Sequence, residues 1–360
     1  MARHELGRAT LAVVQAARTA LTERDVSLLV ACSGGADSLA LAFAAQRHAV
    51  RSQLPYAAMI VDHGLQPGSA EVAERARSQL TDMGYTDVVV APVTVHPTPD
   101  GPEADARAAR YQALDAEAHT RQATVLLGHT LDDQAETVLF RLLRGSGLAG
   151  LRGMRAGSPL PGYVRRTPHD RRFVKRPFLH IPKSRLLATL AAAKVPFVDD
   201  PSNRDPRFTR PRLRELMPQV AAEGLTAERL ALLAERVTRA EIVLYDVLNE
   251  ALMRLAPGPW PEEGPVTVDA VAFGDLAEEI QLRMLDRLIG WTGNEGPVEL
   301  GKLEALCSAL EGPLIDALME PKRGSFRRTL AGAMITLSGT KLTVERAPPR
   351  RTGMKKRRSG

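Results

Sequence analysis

A phosphate-binding loop could form from six consecutive residues, which are Ser33, Gly34, Gly35, Ala36, Asp37 and Ser38. They follow an apolar run and precede a helical pattern. The glycines let the backbone approach an anion, the serines offer hydroxyl donors, and the following helix presents N–H groups at its positive end. The loop lacks the lysine of the common G-x-x-x-x-G-K-[ST] loop. The Asp37 carboxylate would repel phosphate without an intervening cation, which predicts ATP bound with Mg²⁺ on Asp37. An ordinary strand-to-helix turn is the alternative.

A second polar group starts a later helical pattern, in the run from Gly128 to Thr137. One stripe of this helix is apolar and comprises Ala135, Val138, Leu139, Leu142 and Leu143. Acids at a helix N-terminus can serve as caps, and that explains one acid easily. It does not explain His129, Asp132, Asp133 and Glu136 together. This group predicts a site that holds Mg²⁺ or receives a cationic amine.

Four strand-then-helix units position these residues. The predicted strands are Val26–Cys32, Tyr56–Val61, Asp87–Val93 and Thr124–Gly128, and the helices after them are Ser38–His48, Ala70–Met83, Glu103–His119 and Asp132–Leu143. The strands are short and apolar without alternation, which indicates a parallel sheet covered on both faces. Ligands bind beyond the carboxyl ends of such strands. The loop and the acids are therefore expected at one edge of the sheet.

The chain changes character after residue 145. Gly, Arg and Pro become frequent, and we predict a hairpin around Thr167–Asp170, a helix over Lys183–Lys194, and an end to this unit at Pro218. Beyond it we predict a long helix capped by Thr226, helical patterns at 268–291 and 298–311, and a hairpin that joins Met334–Leu337 to Lys341–Val344. The predicted fold class is α/β, with a parallel-sheet nucleotide-binding domain (1–218), a smaller mainly helical domain (219–346) and a basic tail (347–360).

Basic residues concentrate in two parts of the chain, whose net charge is +6. Between residues 141 and 185 there are twelve Lys and Arg and one acid, interleaved with aromatic residues and glycine. Residues 346–360 contain seven Lys and Arg and no acid. Such clusters are typical of proteins that bind a polyanion. A solvated face and a disordered basic tail are the alternatives.

Composition excludes several classes of protein. The cysteines, Cys32 and Cys307, form no C-x-x-C pair, which excludes a disulfide framework and a cysteine-based zinc or iron–sulfur site. The 360 residues, 44% of them apolar, suffice for two or three domains. Residues 1–20 carry charges throughout, and no stretch approaches the roughly 18 apolar residues of a membrane span. A cytoplasmic protein without a membrane segment is expected.

Several motifs together resemble a known family. The Ser33–Ser38 loop is similar to that of the PP-loop, or N-type, ATP pyrophosphatases, and the Gly128–Thr137 run is similar to that of the tRNA(Ile)-lysidine synthases. Further matches to the synthases lie at 103–111, 144–154, 176–179 and 200–203. The resemblance is dense over residues 24–218 and architectural beyond them. It implies a PP-loop domain as the first domain.

The resemblance implies a two-step reaction. ATP adenylates C2 of the wobble cytidine in the CAU anticodon of tRNA(Ile), and free L-lysine then displaces AMP to give lysidine. It implies Asp37 as a catalytic Mg²⁺ ligand and Asp133 and Glu136 as lysine-binding acids. Either these acids or His129 could take the proton of the attacking amine. The expected cofactors are ATP and Mg²⁺, the expected partners are tRNA(Ile) and L-lysine, and monomer and homodimer stay open as assemblies.

Arginines complete the predicted site. Arg107 and Arg110, one turn apart on a helix that opens near the site, could surround the released pyrophosphate with positive charge, and a solvated helix face is the alternative. The residues expected to bind tRNA are Arg144, Arg152, Arg165, Arg172, Arg210 and Arg212. Where the resembling family has an asparagine after Arg210, this chain has Pro211, which offers neither an amide side chain nor a backbone N–H. The resemblance therefore carries no role of that asparagine over to this chain.

Three other functions compete with this interpretation. A PP-loop enzyme that thiolates tRNA usually depends on paired or catalytic cysteines, which this chain supplies poorly. A PP-loop amide ligase gives no reason for the basic 141–185 segment. A non-catalytic tRNA-binding protein would have no need of clustered acids at Asp37, Asp133 and Glu136.

Overall fold

The computed structural model describes residues 7–64, 68–98, 101–161, 173–197, 209–261, 264–320 and 325–348. The chain divides into two compact units, one of residues 1–145 and 150–236 and the other of residues 146–149 and 237–360. The division falls inside one long helix, Ala227–Leu255. The predicted domain limits at 218 and 346 stay predictions. No helix within the described ranges has the length and apolar content needed to cross a membrane.

A mainly parallel sheet forms the centre of the first unit. Its strands are β1 (Leu28–Ala31), β2 (Tyr56–Asp62), β3 (Val88–Pro92), β4 (Thr124–Leu126), β5 (Gly157–Pro159) and β6 (Phe173–Lys175). Among the described residues the strand order is β3-β2-β1-β4-β6-β5, with every pair parallel except β5 with β6. The predicted turn at 167–170, between β5 and β6, lies outside the described residues. The predicted α/β class is confirmed.

Helices cover both faces of this sheet, as predicted. Those up to residue 255 are α1 (Arg8–Ala20), α2 (Ala36–Ser52), α3 (Ser69–Asp82), α4 (Pro102–Arg121), α5 (Leu131–Leu143), α6 (Leu148–Leu151), α7 (Lys183–Ala192), α8 (Thr209–Ala222) and α9 (Ala227–Leu255). One core joins α1, α2 and α7 through residues such as Val13, Leu39 and Leu186. A second core joins α4 to the sheet through Leu114 and Val125. The strand-then-helix units are confirmed, with ends that differ by a few residues.

Helix α8 contains a proline in its second half. Pro218, the residue predicted to close the first domain, lies inside α8, and this helix ends at Ala222. A proline inside a helix removes one backbone hydrogen bond. Apolar contacts outweigh this loss, because Leu213, Met217 and Val220 pack with residues of α5 and α9. This packing places α8 beside the acidic helix α5.

The second unit combines helices with an antiparallel sheet. Its further elements are β7 (Val266–Asp269), α10 (Ala270–Gly274), α11 (Glu278–Thr292), α12 (Leu300–Met319), β8 (Ser325–Leu330), β9 (Ala333–Ser338) and β10 (Lys341–Arg346). Its described strands run in the order β7-β10-β9-β8. The predicted β9–β10 hairpin is confirmed. The core lies between the sheet and α10–α12, with Phe273, Leu288 and Leu310 buried in it.

The helical pattern predicted over 268–291 is wrong at its start. Residues 266–269 form strand β7, in which Val266 and Val268 are buried while Thr267 and Asp269 are exposed. That alternation has the period of a strand, and β10 supplies the pairing. Asp269 then caps α10 by accepting the N–H of Ala272 at 2.8 Å. The pattern predicted over 298–311 extends to Met319, through Pro313.

Candidate active site

The phosphate-binding loop connects β1 to α2 and is closed by its own side chains. Gly34 has a φ of +79°, a left-handed conformation that favours glycine, and a Cβ there would lie 3.1 Å from the Cβ of Ala76. The Oγ of Ser38 accepts the N–H of Ser33 at 3.1 Å and donates to the carbonyl of Gly35 at 2.9 Å. Gly35 is the N-cap of α2 and has no side chain to bond the first N–H groups of that helix. Those groups are left to an anionic ligand.

Asp37 lies in the first turn of α2 with its two oxygens in different surroundings. The Oδ2 atom is 3.3 Å from the Nζ atom of Lys183, whereas Oδ1 is buried without a hydrogen-bond partner in the described part of the chain. Burial raises the pKa of Asp37 above its ordinary value; Lys183 opposes this shift, and the nearby Asp133 adds to it. A partly buried carboxylate with one buried, unpartnered oxygen fits a bound cation.

The donor set at Asp37 suits Mg²⁺ in the company of phosphate. No group of three or more His, Cys, Asp or Glu side chains that could hold a metal occurs among the described residues. Magnesium is commonly bound by one or two carboxylates together with substrate phosphates. Asp37 would be the protein ligand, and the remaining ligands would come from ATP and water.

Gly128 brings the end of β4 against the phosphate-binding loop. A Cβ at this position would lie 2.8 Å from the backbone oxygen of Asp37 and 3.2 Å from the backbone nitrogen of Ser38. Real Cβ atoms do not approach backbone oxygen so closely, so a side chain here would push the two segments apart. The glycine that begins the Gly128–Thr137 run therefore sets the distance between the loop and the acids of α5.

The first two acids of α5 have structural partners of their own. Asp133 forms a capping box with Thr130: its Oδ2 accepts the N–H and the hydroxyl of Thr130 at 2.8 and 2.9 Å, and the Thr130 side chain accepts the N–H of Asp133. Asp132 accepts the backbone N–H of Lys183 at 2.8 Å and so orients the start of α7. The capping interpretation thus holds for Asp133, which keeps its Oδ1 atom for a further partner.

Glu136 is buried and pairs with an arginine of α8. Its Oε1 accepts a hydrogen bond from the Nε of Arg214 at 2.6 Å, and its Oε2 is buried without a partner among the described residues. Burial raises the pKa of Glu136, against the effect of Arg214. An Nη atom of Arg214 also lies 3.7 Å from Oδ1 of Asp133. The guanidinium of Arg214 therefore lies close to both of the acids that were predicted to bind lysine.

His129 is held in its neutral form. Burial lowers its pKa to about 3; Asp133 works against the shift, and Arg176, Arg110 and Arg107 add to it. The Nδ1 atom of His129 is buried and makes no hydrogen bond to any described residue. A neutral imidazole can accept a hydrogen bond, whereas a pKa of about 3 makes it a weak acceptor of protons.

One cavity of about 650 Å³ brings most of the predicted residues together. Of the predicted site, its lining includes Ser33, Gly35, Ala36, Asp37, Ser38, Arg110, His129, Asp133 and Arg210. Apolar side chains, among them Met59 and Val61 of β2, form another part of the wall. The volume suits a nucleotide-sized ligand with a second small molecule.

Three further residues of the cavity were not among the predicted site residues. Lys183 and Arg214 line it, and both pair with the predicted acids. His63, at the end of β2, lines it as well, and its Nδ1 is buried without a described partner. Burial and the nearby Arg110 lower the pKa of His63. The sequence did contain an indication for Arg214. Arg210 and Arg214 lie four residues apart, so on a helix they share one face.

Arg110 and Arg210 line the cavity, whereas several other predicted arginines have different surroundings. Arg107 does not line the main cavity; it lies over the ring of Tyr111 and donates to its hydroxyl at 3.3 Å. Arg144 is exposed and lies over the ring of Phe140, and Arg212 donates to Thr209 at 3.5 Å. Arg165 and Arg172 lie outside the described residues. The roles predicted for these arginines stay predictions.

The buried Pro211 fits its place in α8. It is the third residue of the helix as described, within the first turn, where backbone N–H groups have no intrahelical acceptor. Proline is tolerated there. The helix therefore forms without the asparagine of the resembling family.

A phosphate-binding loop at the carboxyl end of a parallel strand, joined to an acidic helix across one cavity, defines a PP-loop nucleotide-binding enzyme. A family model described as a PP-loop domain matches residues 9–220. The tRNA(Ile)-lysidine synthase of Rhodopseudomonas palustris is 44% identical over 90% of this chain and 92% of its own length. That of Bradyrhizobium diazoefficiens is 42% identical over 90% and 91%. The solved U34-tRNA thiolase NcsA of Methanococcus maripaludis is 16% identical, with a TM-score of 0.49 over 64% of this chain and 79% of its own.

The chain belongs to the tRNA(Ile)-lysidine synthase family. It is accordingly a ligase that modifies tRNA with a PP-loop domain, and that domain implies the use of ATP. The resemblance of the Gly128–Thr137 run is confirmed at the level of the family.

Proposed function

We propose that the protein ligates free L-lysine to C2 of the wobble cytidine of tRNA(Ile) with a CAU anticodon. The cytidine O2 attacks the α-phosphorus of ATP and pyrophosphate leaves. An amine of lysine then attacks C2, AMP leaves with the former O2, and lysidine results. The observation that supports this proposal is one cavity that is lined both by the loop of Asp37 and by Asp133 of α5.

The residues of the loop suit the first step. The N–H groups at the start of α2 and the side chain of Arg110 would bind the triphosphate. Arg110 is well placed because it lines the cavity and its Nε is buried without a described partner. Mg²⁺ held by Asp37 would neutralise the charge of the pyrophosphate that leaves.

The residues of α5 suit the second step. Lysine carries two ammonium groups, and Asp133 and Glu136 each keep one oxygen that their structural hydrogen bonds do not use. Asp133 lines the cavity and Glu136 is buried one turn further along α5, and two carboxylates so placed favour a dication over a neutral amino acid. The neutral His129 adds an acceptor beside them.

The tRNA is expected to reach the site over basic surface. Arg210 lines the cavity, and Arg144 and Arg152 lie in the 141–185 segment. Phosphate contacts from such residues make binding fall as salt rises. We place the reaction in the cytoplasm, where ATP, lysine and tRNA meet.

Incorporation of labelled lysine into a CAU-bearing tRNA(Ile) transcript tests the proposal. One AMP and one pyrophosphate are expected for each lysine incorporated. Asp37→Ala should abolish formation of the adenylated tRNA, whereas Glu136→Ala should impair lysine transfer and leave adenylation in place. ATP consumption without lysine incorporation would contradict the proposal, and equal loss of both steps in Glu136→Ala would contradict the division of roles.

A further inference from the structure

The pair of Arg214 with Glu136 leaves part of a guanidinium available at the cavity. Arg214 bonds to Glu136 through Nε, lies 3.7 Å from Asp133 through one Nη, and lines the cavity with its side chain 37% exposed. A guanidinium has five N–H donors, and the Nε bond uses one of them. The two Nη atoms can bind a carboxylate with two parallel hydrogen bonds.

The charges of this cluster complement those of free lysine. Asp133, Glu136 and Arg214 together supply two carboxylates and one guanidinium. Lysine supplies two ammonium groups and one carboxylate. If only the acids met the substrate, the lysine carboxylate would lie unpaired beside two like charges, and that arrangement is unfavourable in a partly buried site.

We propose that Arg214 binds the α-carboxylate of lysine and so selects the free amino acid over other diamines. The inference rests on the proposed function, since it assigns a second contact to the substrate of that reaction. With the carboxylate on Arg214 and the α-ammonium on a neighbouring acid, the distal amine is the one left to attack C2. Arg214 therefore fixes both which molecule enters and which of its nitrogens reacts.

The other cations of the cavity have different neighbours. Lys183 is paired with Asp37 in the phosphate-binding loop. Arg110 lies 5.5 Å over the ring of Tyr111, on α4. Arg210 lies one turn before Arg214 on α8 and also lines the cavity, and it provides a matched control with the same charge on the same helix face.

The test compares L-lysine with L-lysinamide, which keeps both amines and replaces the carboxylate by a neutral amide. Both are supplied to tRNA(Ile) and ATP, and the ratio of the two kcat/KM values is measured for the wild type, Arg214→Gln and Arg210→Gln. We expect the wild type to prefer lysine and Arg214→Gln to lose this preference by about 10- to 100-fold, the range for hydrogen bonds to charged groups. Arg210→Gln should keep the wild-type ratio.

The ratio is insensitive to partial unfolding, because both amines meet the same preparation of enzyme. If Arg214→Gln incorporates too little of either amine, the ratio of their dissociation constants, measured by calorimetry, replaces it. A ratio in Arg214→Gln equal to that of the wild type would overturn the role of Arg214, and so would an equal loss of preference in Arg210→Gln. In either case, lysine incorporation by the wild type would still uphold the proposed function. A wild type that incorporates neither amine would overturn both.

Discussion

The ammonium of Lys183 lies 3.3 Å from Oδ2 of Asp37, which links the start of α7 to the phosphate-binding loop. The backbone N–H of the same lysine donates to Asp132 on α5. Lys183 is thus held between the two halves of the site, and its charge offsets that of a partly buried carboxylate. The ion pair lowers the free-energy cost of placing the charged Asp37 in a partly buried position. It leaves Oδ1 without a partner among the described residues, so this atom can bind a cation.

Replacement of Asp37 by asparagine should separate activity from stability. Adenylation should fall by at least about 100-fold, because even the outer-shell partners of a bound metal are worth 10- to 100-fold. The midpoint of thermal unfolding should stay level or rise, since burial already disfavours the charged form of Asp37. Asp82→Asn, at an exposed position of α3, is the control. A clear fall in the unfolding midpoint would show instead that Asp37 serves the fold.

Gly128→Ala should displace the phosphate-binding loop. The added Cβ would meet the backbone of Asp37 at 2.8 Å, so either β4 or the loop must shift. Overpacking of this kind costs about 1–3 kcal/mol of unfolding free energy. We expect ATP affinity, measured by calorimetry, to fall together with stability. Gly157→Ala, which places a Cβ where no atom lies within 4 Å, should change neither quantity.

Local patterns predicted the loop and the acids because each is contiguous in the chain. Ser33–Ser38 and Gly128–Thr137 combine their chemistry with a strand before and a helix after them, and that context is visible in the sequence. The contacts of Lys183 and Arg214 come from tertiary packing of α7 and α8 against α5, which no local pattern encodes. Arg212 was chosen above Arg214 although it lies two residues from Arg210 and thus on another helix face.

The second unit shows the limit of helical periodicity. Val266 and Val268 are buried by pairing of β7 with β10, some 75 residues later, and four residues are too few to separate a strand from the start of a helix. Strand β8 has mostly exposed side chains, so it lacks an apolar signal. Pairing with β9, rather than its own composition, makes it a strand.

Loss of either partner of the Glu136–Arg214 pair should affect stability unequally. Arg214→Met leaves a carboxylate that is 5% exposed without its cation, which should cost about 1–3 kcal/mol. Glu136→Met leaves a guanidinium that is 37% exposed and can regain water, so the cost should be smaller. Urea unfolding of both variants measures the difference. Equal losses of unfolding free energy would indicate that the pair stabilises the fold through packing contacts alone. The burial of the Glu136 charge would then have little effect on stability.

His129 should make the free enzyme sensitive to acid. The pKa of this imidazole is about 3 in the folded protein and 6.5 ordinarily, so between these values the unfolded chain binds a proton that the folded chain does not. Stability must therefore fall as the pH drops below about 6.5, by up to about 2 kcal/mol at pH 5 for this group. Well above pH 6.5 the imidazole is neutral in both the folded and the unfolded chain, so His129 does not change the unfolding free energy there.

His129→Gln should remove this part of the pH dependence. The unfolding free energies of variant and wild type, measured in urea at pH 7.5 and pH 5, should diverge in favour of the variant at the lower pH. His119→Gln, at an exposed position near the end of α4, should follow the wild type. Bound ATP would bring negative charge near His129 and offset its neighbouring arginines, so ATP should narrow the difference at pH 5. A difference that ATP leaves unchanged would place the triphosphate away from His129.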